Sequence, residues 1–299
     1  MRLSRRRFIS ISAGAALSPR LAVALPVVWQ GSALGAAVSI TLRGSGQSAL
    51  ALAAAQDAIR RVERAFSLYR ADSELALLNR KERLRMSIDF ARLVELSDRA
   101  VTLTGGLFDP SIQPLWLARA AGLKEDLSDR VGWQHVRRGR GEVSFARPGM
   151  ALTFNGIAQG YASARVRDAL HAHGFEDVVV DIGEFSVGSE PARLAVVNEA
   201  GRILAEVGVK DGAVATSSPG ALRLAGGGGH ILNPDGSTRE PSWRTVSVVG
   251  VDAAMADALS TGLCLAPDAR LAEELVANGN LTGVLLENLR GDVTRIGLI

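Results

Sequence analysis

The chain has a single cysteine, Cys264, in 299 residues, so no internal disulfide can form. That residue lies in the apolar run STGLCLA, where a lone thiol reads as a small buried hydrophobe. No cysteine follows the N-terminal leader to carry a lipid anchor. The four histidines and one cysteine show no zinc-ligand spacing, and there is neither a Walker nor a G-x-S-x-G motif. Internal repeats are absent, and so are low-complexity linkers after the leader. The excess of positive charge is local. Of 34 basic side chains, five (Arg2, Arg5, Arg6, Arg7, Arg20) fall in residues 1–24, which hold no acid. The other 29 face 31 acidic residues, so the body carries a net charge of about −2. A near-neutral body argues against a nucleic-acid binder, which needs a basic footprint.

What the chain does have is apolar mass, 47% of its residues, enough for a sizeable core in one large or two small domains. The leader SRRRFISISAGAALSPRLAVALP combines a basic start, a modest apolar stretch and the small-x-small signal Ala22-Val23-Ala24. Ser4-Arg5-Arg6-Arg7-Phe8-Ile9 resembles a twin-arginine export signal. Pro19 and Arg20 interrupt a stretch already too short to span a bilayer. The expectation is cleavage after Ala24 and a mature periplasmic protein with no stable membrane insertion.

Beyond the leader, GAAVSITLRG alternates as a strand, and residues 47–65 show helical spacing. The turn Ala71-Asp72-Ser73 with Glu74 is a helix-capping pattern. Residues 89–104 read as a helix closed by Gly105-Gly106, and LFDPSIQPLWLARAAG as an irregular corner. Residues 121–150 are polar and loosely patterned. A strand at 150–154, a helix at 160–173 ending at Gly174 and the buried strand DVVVDIG predict a β-loop-α-β unit. Strands follow at 193–198 and 203–209, joined by a turn at Glu199-Ala200-Gly201. GGGGHILNPDG reads as a turn, a short strand and a turn. The strand WRTVSVVGV, helices at 254–266 and 268–278, and a hairpin of 282–287 with 293–298 complete the chain. The pattern predicts one mixed α/β domain over residues 25–299.

Several stretches can carry chemistry, each beside a plainer reading. In LTFNGIAQGYAS, Gly156 and Gly160 serve either close packing or a backbone cradle for an anion at a helix N-terminus. The loop holds no lysine or arginine, so an anion there calls for a metal. In MADALSTGLCL, Asp257 and Thr261 stand at i and i+4 on one helix face. They are either ligands for a hard cation such as Mg²⁺ or Ca²⁺, or a first-turn acid and a core filler. His230, after four glycines, is a general base or a structural hydrogen bonder. Thr216-Ser217-Ser218 forms a hydroxyl-rich loop for a phosphate, or a polar turn. Tyr69, Ser73 and Glu74 hold a planar ring, or cap a helix. His171 and His173 read as exposed residues of a helix end, and His135 has no informative pattern.

Taken in order, these segments resemble the ApbE family of FAD:protein FMN transferases over essentially the whole mature length. ALGAAVSITL is similar to the family's opening strand, FSLYRADSELALLN to its Phe-Ser-x-Tyr-x-x-x-Ser-Glu segment, and TGGLFDPSIQPL to its Gly-Gly-x-Phe-Asp-Pro segment. FNGIAQGYA stands where the family has an Asp-x-Gly-x-Ile-Ala-Lys-Gly-Tyr type of loop, and VVVDIGEFSVG at its Asn-x-Gly-Gly-Asp position. ATSS matches the Thr-Ser-Gly loop, HILNPDG the His-Ile-x-Asp-Pro turn, and ADALSTGL the metal helix.

The resemblance implies an ApbE-like fold with FAD between two intimately joined α/β lobes and a divalent cation, usually Mg²⁺, at its pyrophosphate. It implies that a threonine or serine hydroxyl of a partner flavoprotein attacks the phosphorus on the riboflavin side, releasing AMP. By position, Asp257, Thr261 and a backbone carbonyl near Ala158 would hold the metal, with His230 as base or proton shuttle. Tyr69, Ser73, Glu74, Asn155, Gly156, Ile157, Gln159, Gly160, Thr216, Ser217 and His230 would line the FAD site. The sequence departs from the family pattern at four places. Asn155 replaces an acid, Gln159 a lysine, Gly183-Glu184-Phe185 a Gly-Gly-Asp, and Asn233 the aspartate before Pro234. With the twin-arginine leader, these changes resemble the branch associated with nitrous oxide reductase maturation, whose acceptor would be a membrane-bound flavoprotein with a periplasmic flavin domain. A metal-dependent FAD pyrophosphatase and a non-catalytic FAD-binding assembly factor would use the same site.

Overall fold

The alternation over 35–44 becomes strand β2 (Ala36–Arg43), with Val38, Ile40 and Leu42 buried on one face. It pairs with an unforeseen strand, β1 (Val27–Ala33), across a left-handed turn at Leu34-Gly35. The computed structural model describes residues 25–298 except 124 and 126, so the leader and its cleavage after Ala24 lie outside the described residues. Among those described, no helix is long and apolar enough to cross a membrane.

Helix α1 (Ser48–Phe66) buries an alanine-rich stripe of Ala51, Ala55, Ala58 and Val62. Helix α2 (Glu74–Lys81) starts where the capping pattern predicts, with Ser73 Oγ accepting from the Ala76 N–H at 3.0 Å. Strand β3 (Arg83–Arg85) and helix α3 (Ile88–Leu103), capped by Ser87, follow. The expected irregular corner instead contains helix α4 (Gln113–Ala120). Asp109 caps a preceding turn at Pro110–Ile112, and Pro114 sits in the first turn of α4, where a missing N–H costs nothing. The loosely patterned stretch holds a hairpin, β4 (Val136–Gly139) and β5 (Glu142–Phe145), which joins β3 in a three-stranded sheet.

The strand expected at 150–154 does not form. The Leu152 N–H donates to Asn79 Oδ1 at 2.8 Å, and its carbonyl accepts from Asn79 Nδ2 at 2.9 Å. The Thr153 N–H goes to the Pro110 carbonyl. A side chain and a turn satisfy this backbone, leaving nothing for a ladder, so there is no β-loop-α-β unit. The segment leads into helix α5 (Ala158–His171), which starts earlier than expected, and the chain reverses at Gly174 with φ near +80°. Phe154 and Tyr161 flank the intervening loop. Phe154 packs edge-on against Phe66 and Phe90, and Tyr161 edge-on against Phe66, with ring centroids 5.5–5.7 Å apart. Tyr161 also donates its hydroxyl to Asp89 at 2.7 Å.

Strands β6 (Asp177–Asp181) and β7 (Phe185–Val187) come next. The expected pair forms as β8 (Ala192–Val197) and β9 (Ile203–Val209). Strand β10 (Gly212–Ser217) extends through Thr216 and Ser217, which were expected in a loop. No strand forms within GGGGHILNPDG, where an isolated bridge joins Arg223 and Gly229. Strand β11 (Trp243–Gly250), helices α6 (Ala253–Leu263) and α7 (Arg270–Ala277), and the hairpin β12 (Gly283–Asn288) with β13 (Val293–Gly297) match the expected order.

The main sheet runs β1-β2-β6-β7-β10-β11-β12-β13, antiparallel throughout. Successive side chains of a strand face opposite ways, and here both faces are used. Ala213, Ala215, Val246, Val248, Val284 and Leu286 join the core formed with the helices. Val214, Val249 and Leu285 join a smaller core under the β8–β9 ribbon. The architecture is mixed α+β, with α6 packed between β10–β11 and α5.

Candidate active site

Helix α6 presents the central groups. Asp252 caps it by accepting from the Met255 N–H at 3.0 Å, fixing the register that places Asp257 and Thr261 one turn apart. Asp257 is 1% exposed, a costly place for a carboxylate without partners. One partner is the Gly160 N–H, which donates to Asp257 Oδ2 at 3.0 Å. Gly160 is the third residue of α5, a helix whose N-cap, Ile157, supplies no side-chain bond. Asp257 therefore caps the N-terminus of α5 from another helix, where a negative charge is favoured.

The two glycines make that approach possible. A Cβ at Gly160 would sit 2.0 Å from the Ala253 carbonyl oxygen, and one at Gly156 would sit 2.8 Å from Thr261 Oγ1. The space on these backbones is filled by α6, which answers why glycine stands at both positions.

A cleft opens over this junction. Its walls include Asn155 and Gly156, Asp257 and Thr261 of α6, Ser217 at the end of β10, and His230. His230 is anchored by its ring. Nδ1 lies 3.1 Å from the Pro219 carbonyl, which can only accept, so Nδ1 carries a proton and Nε2 is the basic nitrogen of the neutral ring. Asp109 and Trp116 close another side. Burial pushes the Asp109 carboxyl above the usual carboxylate range, opposed by hydrogen bonds from Ser111 and the Trp133 N–H.

Among the described residues, no group of three or more His, Cys, Asp or Glu side chains could hold a metal. The donors present are oxygens, namely one carboxylate and one hydroxyl on α6. That set fits a hard cation that keeps waters and takes phosphate oxygens, and does not fit a soft-metal cage.

The sequence signature of the ApbE family matches residues 34–285. The chain belongs to the ApbE family. Solved structures agree in fold. The flavin transferase ApbE from Vibrio cholerae is similar with a TM-score of 0.77 and 20% identity over 90% of this chain and 96% of that one. The Pseudomonas stutzeri flavinyl transferase ApbE, apo form, gives 0.78 and 22% over 93% and 97%. The apbe protein from Thermotoga maritima gives 0.81 and 22% over 91% and 97%. No curated protein sequence matches the chain.

In this ApbE-family chain the remaining residues singled out from sequence are not among those that line the cleft. Tyr69 is 80% exposed, and Ser73 is buried, its hydroxyl donating to the Ser67 carbonyl and capping α2. Glu74 accepts from the Ser87 N–H at 2.9 Å. Ile157 and Ala158 are packed in the core. Thr216 donates its N–H to the buried Glu184 carboxylate at 2.8 Å and shares its hydroxyl with Ser247. Gln159, where the family pattern has lysine, is buried, and its Oε1 has no hydrogen-bond partner among the described residues. Its amide lies against Gly183, in the turn where this chain departs from Gly-Gly-Asp. Asn233 is buried and paired with Arg239.

Sequence reasoning missed Trp116 and Gln113 as cleft residues because α4 was read as irregular. The available signal was Asp109 before Pro110, a cap followed by proline at the start of a turn.

Proposed function

We propose that this chain is an FAD:protein FMN transferase. It joins FMN, taken from FAD, to a threonine or serine hydroxyl of an acceptor flavoprotein through a phosphoester bond, and releases AMP. The observation that carries this reading is the convergence of Asp257, Thr261, Asn155, Ser217 and His230 on one cleft in an ApbE-family chain. The structural likeness to proteins described as flavin transferases supports it.

In this reading Asp257 and Thr261, which line the cleft, would hold a divalent cation, Mg²⁺ or Ca²⁺, that would supply positive charge to the FAD pyrophosphate. The Asn155 amide lines the same cleft as a neutral hydrogen-bonding group. His230 Nε2 takes the proton of the acceptor hydroxyl as its oxygen bonds to the riboflavin-side phosphorus and the bond from that phosphorus to AMP breaks. The twin-arginine leader supports a periplasmic site of action. Together with Asn155, Gln159 and Glu184 it supports an acceptor with a periplasmic flavin domain in a nitrous oxide reductase system.

The test is incubation of residues 25–299 with FAD, Mg²⁺ and such a flavin domain. Acid-stable flavin fluorescence on the acceptor is expected. An unlabelled acceptor that a related transferase does label overturns the reading, and release of AMP and free FMN without acceptor replaces it with a pyrophosphatase.

Two variants probe individual groups. His230→Gln is expected to lower the transfer rate about 10²-fold with FAD affinity unchanged, measured by single-turnover labelling and fluorescence titration. In Gly156→Ala the added methyl would lie 2.8 Å from Thr261 Oγ1, 3.1 Å from its Cγ2 and 3.3 Å from its Cβ, so turning this β-branched side chain does not clear the contact and Thr261 is displaced. Calorimetry is expected to show Mg²⁺ binding weakened about 10-fold, with a loss of stability of about 1–3 kcal/mol in denaturant unfolding.

A further inference from the structure

Three hydroxyl groups meet beneath the cleft. Ser260 Oγ lies 2.9 Å from the Asp257 carbonyl oxygen, Ser217 Oγ lies 2.7 Å from Ser260 Oγ, and Ser217 Oγ lies 3.3 Å from Thr261 Oγ1. Ser260 is fully buried and Ser217 is 3% exposed, so the protein dictates the direction of these bonds. A carbonyl only accepts, so the one hydroxyl proton of Ser260 goes to Asp257. Ser217 must then donate to Ser260. Its own proton being spent, Ser217 can only accept from Thr261.

The chain of donors thus runs from Thr261 through Ser217 and Ser260 to the Asp257 backbone. Thr261 directs its proton inward to β10 and keeps lone pairs for the cleft. That is the polarity a cation ligand needs, since a hydroxyl pointing its proton into the cleft would repel the ion. On the other side of the site, the Gly160 N–H holds Asp257 Oδ2. Each of the two ligand side chains is therefore oriented by a different element.

We propose that Ser217 is a positioning residue that orients the Thr261 hydroxyl toward a divalent cation, rather than a direct contact to FAD. The inference rests on the cation site of the proposed function. Partners of this kind affect metal affinity by about 10- to 100-fold when removed.

The test measures binding of Mg²⁺ alone to the mature chain by calorimetry, and binding of FAD in the presence of a chelator. Ser217→Ala is expected to raise the Mg²⁺ Kd about 10-fold, with chelator-phase FAD affinity and unfolding temperature near wild type. Ser217→Thr, which keeps the hydroxyl, is expected to restore binding. Ser217→Ala with wild-type Mg²⁺ affinity overturns the inference alone. So does an equal loss of metal-free FAD binding, which would make Ser217 an FAD contact. If the wild type and Asp257→Asn bind Mg²⁺ equally weakly, the cation reading falls and the inference falls with it.

Discussion

Asp257→Asn is expected to lower FMN transfer about 10³-fold while leaving the protein folded. That factor corresponds to about 4 kcal/mol of lost transition-state stabilisation, the scale of removing a catalytic cation. The substitution separates the two tasks of this side chain. Asparagine has nearly the same shape, and its Oδ1 can still accept from the Gly160 N–H, so α5 stays capped. What disappears is the negative charge, whose attraction to the N-terminus of α5 is worth about 0.3–2 kcal/mol. The expected outcome is loss of Mg²⁺ binding by calorimetry with an unfolding temperature only slightly below that of wild type. Asp257→Ala should differ by unfolding earlier, because the Gly160 N–H then lacks its acceptor, at a cost of about 1–3 kcal/mol. Transfer by Asp257→Asn within 10-fold of wild type would remove Asp257 from the chemistry.

The separation of these tasks also shows what the sequence could and could not reveal. The i,i+4 spacing of Asp257 and Thr261 on one face of α6 is local and was legible. Their oriented partners are not local, since Gly160 lies 97 residues from Asp257, and Ser217 lies 44 from Thr261. The same limit explains the segment at 150–154. Its apolar run satisfies a strand pattern, but Asn79, 73 residues away, takes both backbone groups of Leu152. Helix starts were read well where a side chain near in sequence supplies the cap, as Ser73 does for α2. The start of α5 was misplaced because its capping carboxylate comes from α6. The hairpin of β4 and β5 was missed because arginines fill much of its exposed face and only Val136 and Val143 point inward as fully buried apolar residues.

Gly160→Ala turns that non-local cap into a test with opposite signs. Helix propensity alone favours alanine over glycine inside a helix by about 1 kcal/mol, so a reading of α5 as an ordinary helix predicts stabilisation. The packing predicts the reverse. The new Cβ would lie 2.0 Å from the Ala253 carbonyl oxygen, 2.6 Å from its carbon and 2.8 Å from Asp257 Cβ. Two of these atoms are backbone at the first turn of α6, which is held by the Asp252 cap and packed on β10 and β11, so no side-chain rotation can clear the contact. Helices α5 and α6 must separate, losing both their packing and the Gly160 to Asp257 hydrogen bond. Overpacking costs about 1–3 kcal/mol, and leaving the Gly160 N–H without its acceptor about 1–3 more, which together outweigh the propensity gain. Denaturant unfolding is therefore expected to show a net loss of at least about 1 kcal/mol, accompanied by loss of Mg²⁺ binding. A stabilised Gly160→Ala protein would mean that α5 and α6 do not approach as closely as the Gly160 to Asp257 hydrogen bond requires.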